Sequence, residues 1–189
     1  MKWNIPNSLT VLRILLIPVF VGIFYLPVDT LHPHWVNFSA TLVFAVAAIT
    51  DWLDGYLARR WQQTSAFGAF LDPVADKLMV AAALIVLVEL ERTGAVIALI
   101  IIGREIAISA LREWMAGIGE RGSVAVASLG KIKTAVQMVA ILLLLYYDPV
   151  GIIDIKILGE VLIYLAAFLT LLSMAYYLKA AWPQMRARK

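Results

Sequence analysis

The chain contains no cysteine. That excludes disulfides, thioether-linked haem and thiol catalysis, and leaves the redox compartment open. Charge is also scarce. Only 15% of the 189 residues are Asp, Glu, Lys or Arg, against about 25% in an ordinary soluble domain. The only two histidines, His32 and His34, lie together in a His-Pro-His run and read as surface groups rather than ligands. The net charge of +3 is modest. Its basic residues sit among apolar runs instead of on one polar face, which argues against a nucleic-acid binder. No tandem repeat or low-complexity stretch is visible. What the chain does have is 62% hydrophobic residues. A single small domain cannot hide that excess from water, so the bilayer is its expected solvent.

Apolar stretches run through Leu9–Leu26, Phe38–Leu57, Phe70–Leu90, Ala95–Met115, Thr134–Tyr147 and Val161–Leu178. A span needs about 20 residues. The fifth is short and reaches that length only by extending back to Val124 through Lys131 and Lys133. The expectation is an all-α integral membrane protein: one domain over residues 1–189, six transmembrane helices, and a short interfacial segment within Met1–Ser8 marked by Trp3 and Ile5. Lys2 ahead of the run Ile14–Leu26 imitates a signal peptide. However, Arg13 falls where the apolar core would begin, and Pro27-Val28-Asp29 replaces a small-residue cleavage site, so a retained first helix is expected.

Alternating sides along six spans places Lys2, Arg13, Arg59, Arg60, Lys77, Arg104, Arg112, Arg121, Lys131, Lys133, Lys179, Arg186, Arg188 and Lys189 together, with only Arg92 and Lys156 opposite. Positive charge marks the cytoplasmic side, so both termini are expected there. Most tryptophans fall near span ends, as in an interfacial belt. The tail Met185–Lys189 reads as a lipid-headgroup contact.

Charges inside spans cost about 2.5–3.5 kcal/mol each at a helix centre and are functional candidates by default. They form three groups, all on the expected cytoplasmic half. Asp51 and Asp54 close the second span and lie about 60° apart on a helix, sharing a face with Gly55 and Ala58. Gly68, Asp72 and Asp76 recur every four residues at the opening of the third span. Pro73 suits a helix that starts beside it, with Asp72 at the boundary. The two acidic faces can converge across a short loop. Four clustered carboxylates require protonation or cations. Oxygen ligands favour Mg²⁺, Mn²⁺ or Ca²⁺, and four are enough to bridge two metals in the manner of phosphoryl transfer. Surface caps could explain Asp51 or Asp72 singly; they explain poorly four aspartates in register around small residues. The third group is basic: Arg104 and Arg112, about 80° apart on one helix, then Lys131 and Lys133. Topology and pairing with Glu105 and Glu113 account for some of these charges. Arg104 lies deepest and points to a phosphate site.

Asp51, Asp54, Gly55, Ala58, Arg59, Gly68, Asp72 and Asp76 together read D-x-x-D-G-x-x-A-R, eight residues, then G-x-x-x-D-x-x-x-D. This resembles the signature of the CDP-alcohol phosphotransferases at every fixed position. The likeness extends through the Asn4–Thr10 segment with Arg13, Gly103–Glu105, Leu111–Glu113, Gly130–Thr134 and Ser173–Leu178, and favours members whose acceptor is glycerol 3-phosphate. The resemblance implies the family's six-helix membrane fold, a bacterial inner-membrane setting, a cytoplasmic active site and a homodimer. It implies transfer from CDP-diacylglycerol to sn-glycerol 3-phosphate with release of CMP. It also implies two Mg²⁺ or Mn²⁺ ions on Asp51, Asp54, Asp72 and Asp76, with Asp76 also acting as base. Gly55, Ala58, Arg59 and Gly68 would line the nucleotide site with the first three aspartates. The acceptor phosphate is assigned to Arg104, Arg112, Lys131 and Lys133, with Thr10 and Arg13 alongside. The competing readings are a sister enzyme with another acceptor alcohol, and an ion or proton transporter. A transporter would show interrupted helices in two related halves and acids near the midplane, neither of which the sequence has.

Overall fold

The computed structural model describes residues 5–27, 32–61, 66–117 and 127–187. Among these, six α-helices form: α1 Ile5–Ile23, α2 Pro33–Arg60, α3 Ala66–Glu89, α4 Ala95–Gly117, α5 Ala127–Tyr146 and α6 Ile155–Ala187. Among the described residues the only strand-like pairing is a single bridge between Val150 and Ile153 in the α5–α6 turn. Short connections make sequential helices run in alternating directions. α1 packs on α2 and α3, α5 lies along α6, α2 reaches α5, and α4 sits against α3 and α6.

Local chemistry sets the helix ends. His32 caps α2, its ring nitrogen accepting from the His34 N–H at 3.3 Å, and Pro33 follows at the first helical position, where a missing N–H costs nothing. Asp154 caps α6, Oδ1 accepting from the N–H groups of Lys156 at 3.1 Å and Ile157 at 3.4 Å, as short acidic side chains do at helix starts. α3 ends with Glu91 at φ 56° and the Arg92 N–H on the Leu87 carbonyl at 2.8 Å. α5 ends with Tyr147 at φ 60°. At both turns a left-handed residue reverses the chain.

Two expectations about boundaries are corrected. α3 begins at Ala66, not beside Pro73, so Pro73 lies inside it. Its missing N–H leaves only the Ala69 carbonyl without an in-helix donor, and the continuous helix puts Gly68, Asp72 and Asp76 on one stripe. The expected interfacial segment is not a separate element where it is described: Ile5–Ser8 form the first turn of α1, and residues 1–4 lie outside the described residues. The backward extension of the fifth helix is present as far as Ala127.

The core joins Phe20, Phe44, Leu84, Leu87, Ile101, Ile141, Leu144, Leu145 and Ile163 with the buried alanines Ala40, Ala47, Ala83, Ala140 and Ala167. Small residues let helices approach closely. Gly159 does so at the α5–α6 contact, where an added Cβ would stand 2.9 Å from the Leu144 side chain. Outward faces carry exposed Leu15, Leu42, Ile85, Leu99, Ile106 and Phe168, more apolar surface than a soluble monomer shows. Pro33–Asp54 and Ile155–Pro183 are long and apolar enough to cross a membrane. α3 carries four charges (Asp72, Asp76, Lys77 and Glu89) and α4 also four (Arg104, Glu105, Arg112 and Glu113), so neither joins that set.

Candidate active site

The start of α1, the end of α2, the start of α3, the end of α4, the start of α5 and the end of α6 gather at one end of the bundle. A cavity of about 950 Å³ opens there. Asp51, Asp72 and Asp76 line one part of it; Arg104, Glu105, Arg112 and Tyr177 line another. The acidic and basic groups, far apart in sequence, therefore share one chamber.

Asp54 is buried at 3% exposure. Arg13 is buried too and makes the charge there tolerable. Its Nη1 donates to Asp51 Oδ1 at 2.6 Å, and its Nη2 donates to Asp54 Oδ2. One planar guanidinium from α1 thus spans two carboxylates one turn apart on α2, as its fork geometry allows. One turn earlier on α1, the Thr10 hydroxyl donates to Asp72 Oδ1. Thr10 and Arg13, expected among the acceptor-phosphate residues, are placed against the aspartates instead. A sequence pattern shows neither link, because the partners lie 62, 38 and 41 positions away.

As they stand, no three His, Cys, Asp or Glu side chains among the described residues are grouped closely enough to hold a metal ion. The donor set nevertheless suits a hard cation. It is all carboxylate, three of its members face the cavity, and a cationic side chain already occupies the space between Asp51 and Asp54. Gly68 is buried at this end. The side chains of Gly55, Ala58 and Arg59, expected to line a nucleotide site, lie outside the described residues.

The basic wall is built on α4, α5 and α6. Lys133 is fully buried and donates to Glu105 Oε1; Arg104 Nη1 reaches the same oxygen at 3.2 Å. Arg104 Nη2 also donates to Ser173 Oγ at 3.2 Å. Arg112 Nη2 donates to the Tyr177 hydroxyl at 2.9 Å. Lys77, beside Asp76 on α3, donates to Ser109 on α4 across the cavity rim. The Lys131 side chain lies outside the described residues. Sequence reasoning passed over Glu105 as a binding-wall member, and did not single out Ser173, Tyr177 or Lys77 as site residues. Ser173 and Tyr177 stand four apart on one helical face, and both fall in the Ser173–Leu178 segment of family likeness, the two signals that pointed to them.

An acidic, cation-seeking half and a basic, anion-seeking half around one cavity define a site for joining or splitting phosphate-bearing molecules. Residues 3–172 match the model of the CDP-alcohol phosphatidyltransferase family, and the chain belongs to that family, which is generally dependent on divalent metal. Its curated relatives include the CDP-diacylglycerol–glycerol-3-phosphate 3-phosphatidyltransferases of Escherichia coli strain K12 and Shigella flexneri. Each is 52% identical over 183 residues, covering 96% of this chain and 96% of its own length.

Proposed function

We propose that this protein transfers the phosphatidyl group of CDP-diacylglycerol to sn-glycerol 3-phosphate, giving phosphatidylglycerophosphate and CMP. The observation that carries the reading is the single cavity shared by Asp51, Asp72 and Asp76 and by Arg104 and Arg112. The assignment of substrates follows the relatives' names.

Asp51, Asp54, Asp72 and Asp76 would hold the divalent cations, Mg²⁺ or Mn²⁺, two per site. Bound there, such ions neutralise the diphosphate and make CMP a better leaving group. The remaining work belongs to the chain. Arg104, Arg112, Lys131 and Lys133 bind the phosphate of the acceptor and hold its free hydroxyl toward α3. The Asp76 carboxylate takes the hydroxyl proton. The freed oxygen forms a bond to the β-phosphorus, the one carrying diacylglycerol, and the bond from that phosphorus to the oxygen shared with CMP breaks. Gly55, Ala58, Arg59 and Gly68 line the nucleotide, the small residues Gly55, Ala58 and Gly68 admitting it close to the backbone. Arg13 and Thr10 order the aspartates from α1.

The same reading makes residues 1–189 one domain with six spans in a bacterial inner membrane, both termini and the cavity on the cytoplasmic side, lipid around the apolar faces, and two copies assembled as a homodimer. The exposed apolar outer faces and the 14-to-2 distribution of basic residues support it.

The test is CMP release by purified protein in detergent, with CDP-diacylglycerol, Mg²⁺ or Mn²⁺, and a panel of alcohols: glycerol 3-phosphate, inositol phosphate, serine and phosphatidylglycerol. Release with glycerol 3-phosphate alone is expected. Release with another alcohol instead overturns the acceptor. No release with any alcohol, together with metal-independent ion flux in liposomes, overturns the enzyme.

A further inference from the structure

Tyr177 is a nearly buried phenol, 2% exposed, set into the wall of the cavity. Its surroundings are unusual. The Arg112 guanidinium carbon lies 5.1 Å from the ring centroid and the Arg104 guanidinium carbon 5.6 Å from it. Arg112 also donates to the hydroxyl at 2.9 Å. One turn back on the same face of α6, Ser173 accepts from Arg104 at 3.2 Å, while its own proton goes to the Thr170 carbonyl at 2.9 Å. Ser173 can therefore meet Arg104 only as an acceptor. Gly130 faces the hydroxyl across the cavity wall without obstructing it: a methyl there would sit 3.6 Å away, an ordinary contact.

Two guanidinium groups on one helix repel each other and, on long side chains, have many rotamers to choose from. A ring whose face attracts both, and whose oxygen fixes one, removes much of that freedom before any anion arrives. The Arg104 Nε is buried with no hydrogen-bond partner, so the surrounding packing, not a full set of bonds, sets its plane. Preorganised donors bind an anion without a further ordering cost.

We propose that Tyr177, with Ser173 beneath it, is a positioning residue for the acceptor. It holds Arg104 and Arg112 at the spacing that receives the acceptor's phosphate monoester, and it touches neither the nucleotide nor the reacting phosphorus. This rests on the reading of Arg104 and Arg112 as phosphate ligands.

The experiment is a steady-state comparison of Tyr177→Phe, Tyr177→Leu, Arg112→Ala and the double variant Tyr177→Phe/Arg112→Ala, in the full-length protein in detergent. KM is measured separately for glycerol 3-phosphate and CDP-diacylglycerol, with Tm alongside. Tyr177→Phe keeps the ring and loses one charged hydrogen bond, so its acceptor KM rises roughly fivefold, while Tm and the CDP-diacylglycerol KM stay put. Tyr177→Leu loses the ring as well and its acceptor KM rises roughly tenfold or more. In the Arg112→Ala background, Tyr177→Phe adds nothing to the acceptor KM. A rise in acceptor KM for Arg112→Ala with none for Tyr177→Phe overturns the positioning role and leaves the phosphate reading standing. Equal effects of Tyr177→Phe with and without Arg112, or an equal rise in both KM values, also overturn it. An unchanged acceptor KM in Arg112→Ala removes the phosphate reading itself for that residue.

Discussion

The two ends of the bundle carry similar polar chemistry and use it differently. At the end away from the cavity, Arg92 donates to the Leu144 and Leu145 carbonyls at 3.1 and 2.8 Å and to Asn37 Oδ1 at 2.7 Å, with the Tyr147 ring 4.3 Å from its guanidinium carbon. Asn37 and His34 both reach Asp148. This Arg closes the C-terminal end of α5 and ties it to α2. Burial pulls its pKa below the usual arginine value, with Tyr147 and Asp148 opposing that. At the cavity end, Arg13, Asp54, Arg104 and Lys133 are each buried to within 7%. Among the described residues, Arg13, Arg104 and Lys133 donate to other side chains, carboxylate or hydroxyl. Backbone carbonyls are fixed partners that no ligand can replace. Side-chain partners can be exchanged for a cation or a phosphate. The contrast separates charges locked to the backbone from charges whose side-chain partners a cation or a phosphate could replace.

Breaking the comparison begins at the cavity. Asp76→Asn should lower CMP release by roughly 10²–10⁴-fold, the usual contribution of a general base, without lowering Tm. A large Tm loss would move Asp76 to the structural class. Next comes Arg13→Met, which leaves Asp54 buried without its cation. The metal-free protein should lose about 3–5 kcal/mol, read as Tm in chelator, and Mn²⁺ should restore part of that loss. Equal losses with and without Mn²⁺ would mean that no exchangeable cation acts at this end.

The opposite end should respond in the other currency. Arg92→Met should cost about 1–3 kcal/mol, because it uncaps two carbonyls and leaves Asn37 without its donor. Both KM values should be unchanged, and a selective rise in acceptor KM would erase the distinction between the ends. The smallest effect belongs to Asp148→Asn: its partner His34 is 43% exposed, so the change should cost less than about 1 kcal/mol in chemical denaturation.

Much of this was legible from residue order. Apolar run lengths gave six helices, because a long helix with a broad apolar surface writes a long apolar run into the chain. The four-residue spacing of Gly68, Asp72 and Asp76 gave a shared face, because helical periodicity is local. The start of α3 was misplaced because Pro73 is a common first-turn residue, and nothing nearby announces that α3 accommodates it seven positions in. Thr10 and Arg13 were grouped with the basic residues and lie against the aspartates, since a lone Thr and Arg on the first helix suit either half.

The sequence by itself determined the four aspartates, the basic cluster and the family signature that joins them. Local spacing and the cost of charge in an apolar run are properties of residue order. Only the tertiary structure decided that Arg13 spans Asp51 and Asp54, that Glu105 sits between Lys133 and Arg104, and that Tyr177 holds two arginines. Apart from the neighbours Arg104 and Glu105 on α4, those pairings join different helices, and which side chains meet depends on how helices pack around the buried alanines and Gly159, geometry that no single segment encodes.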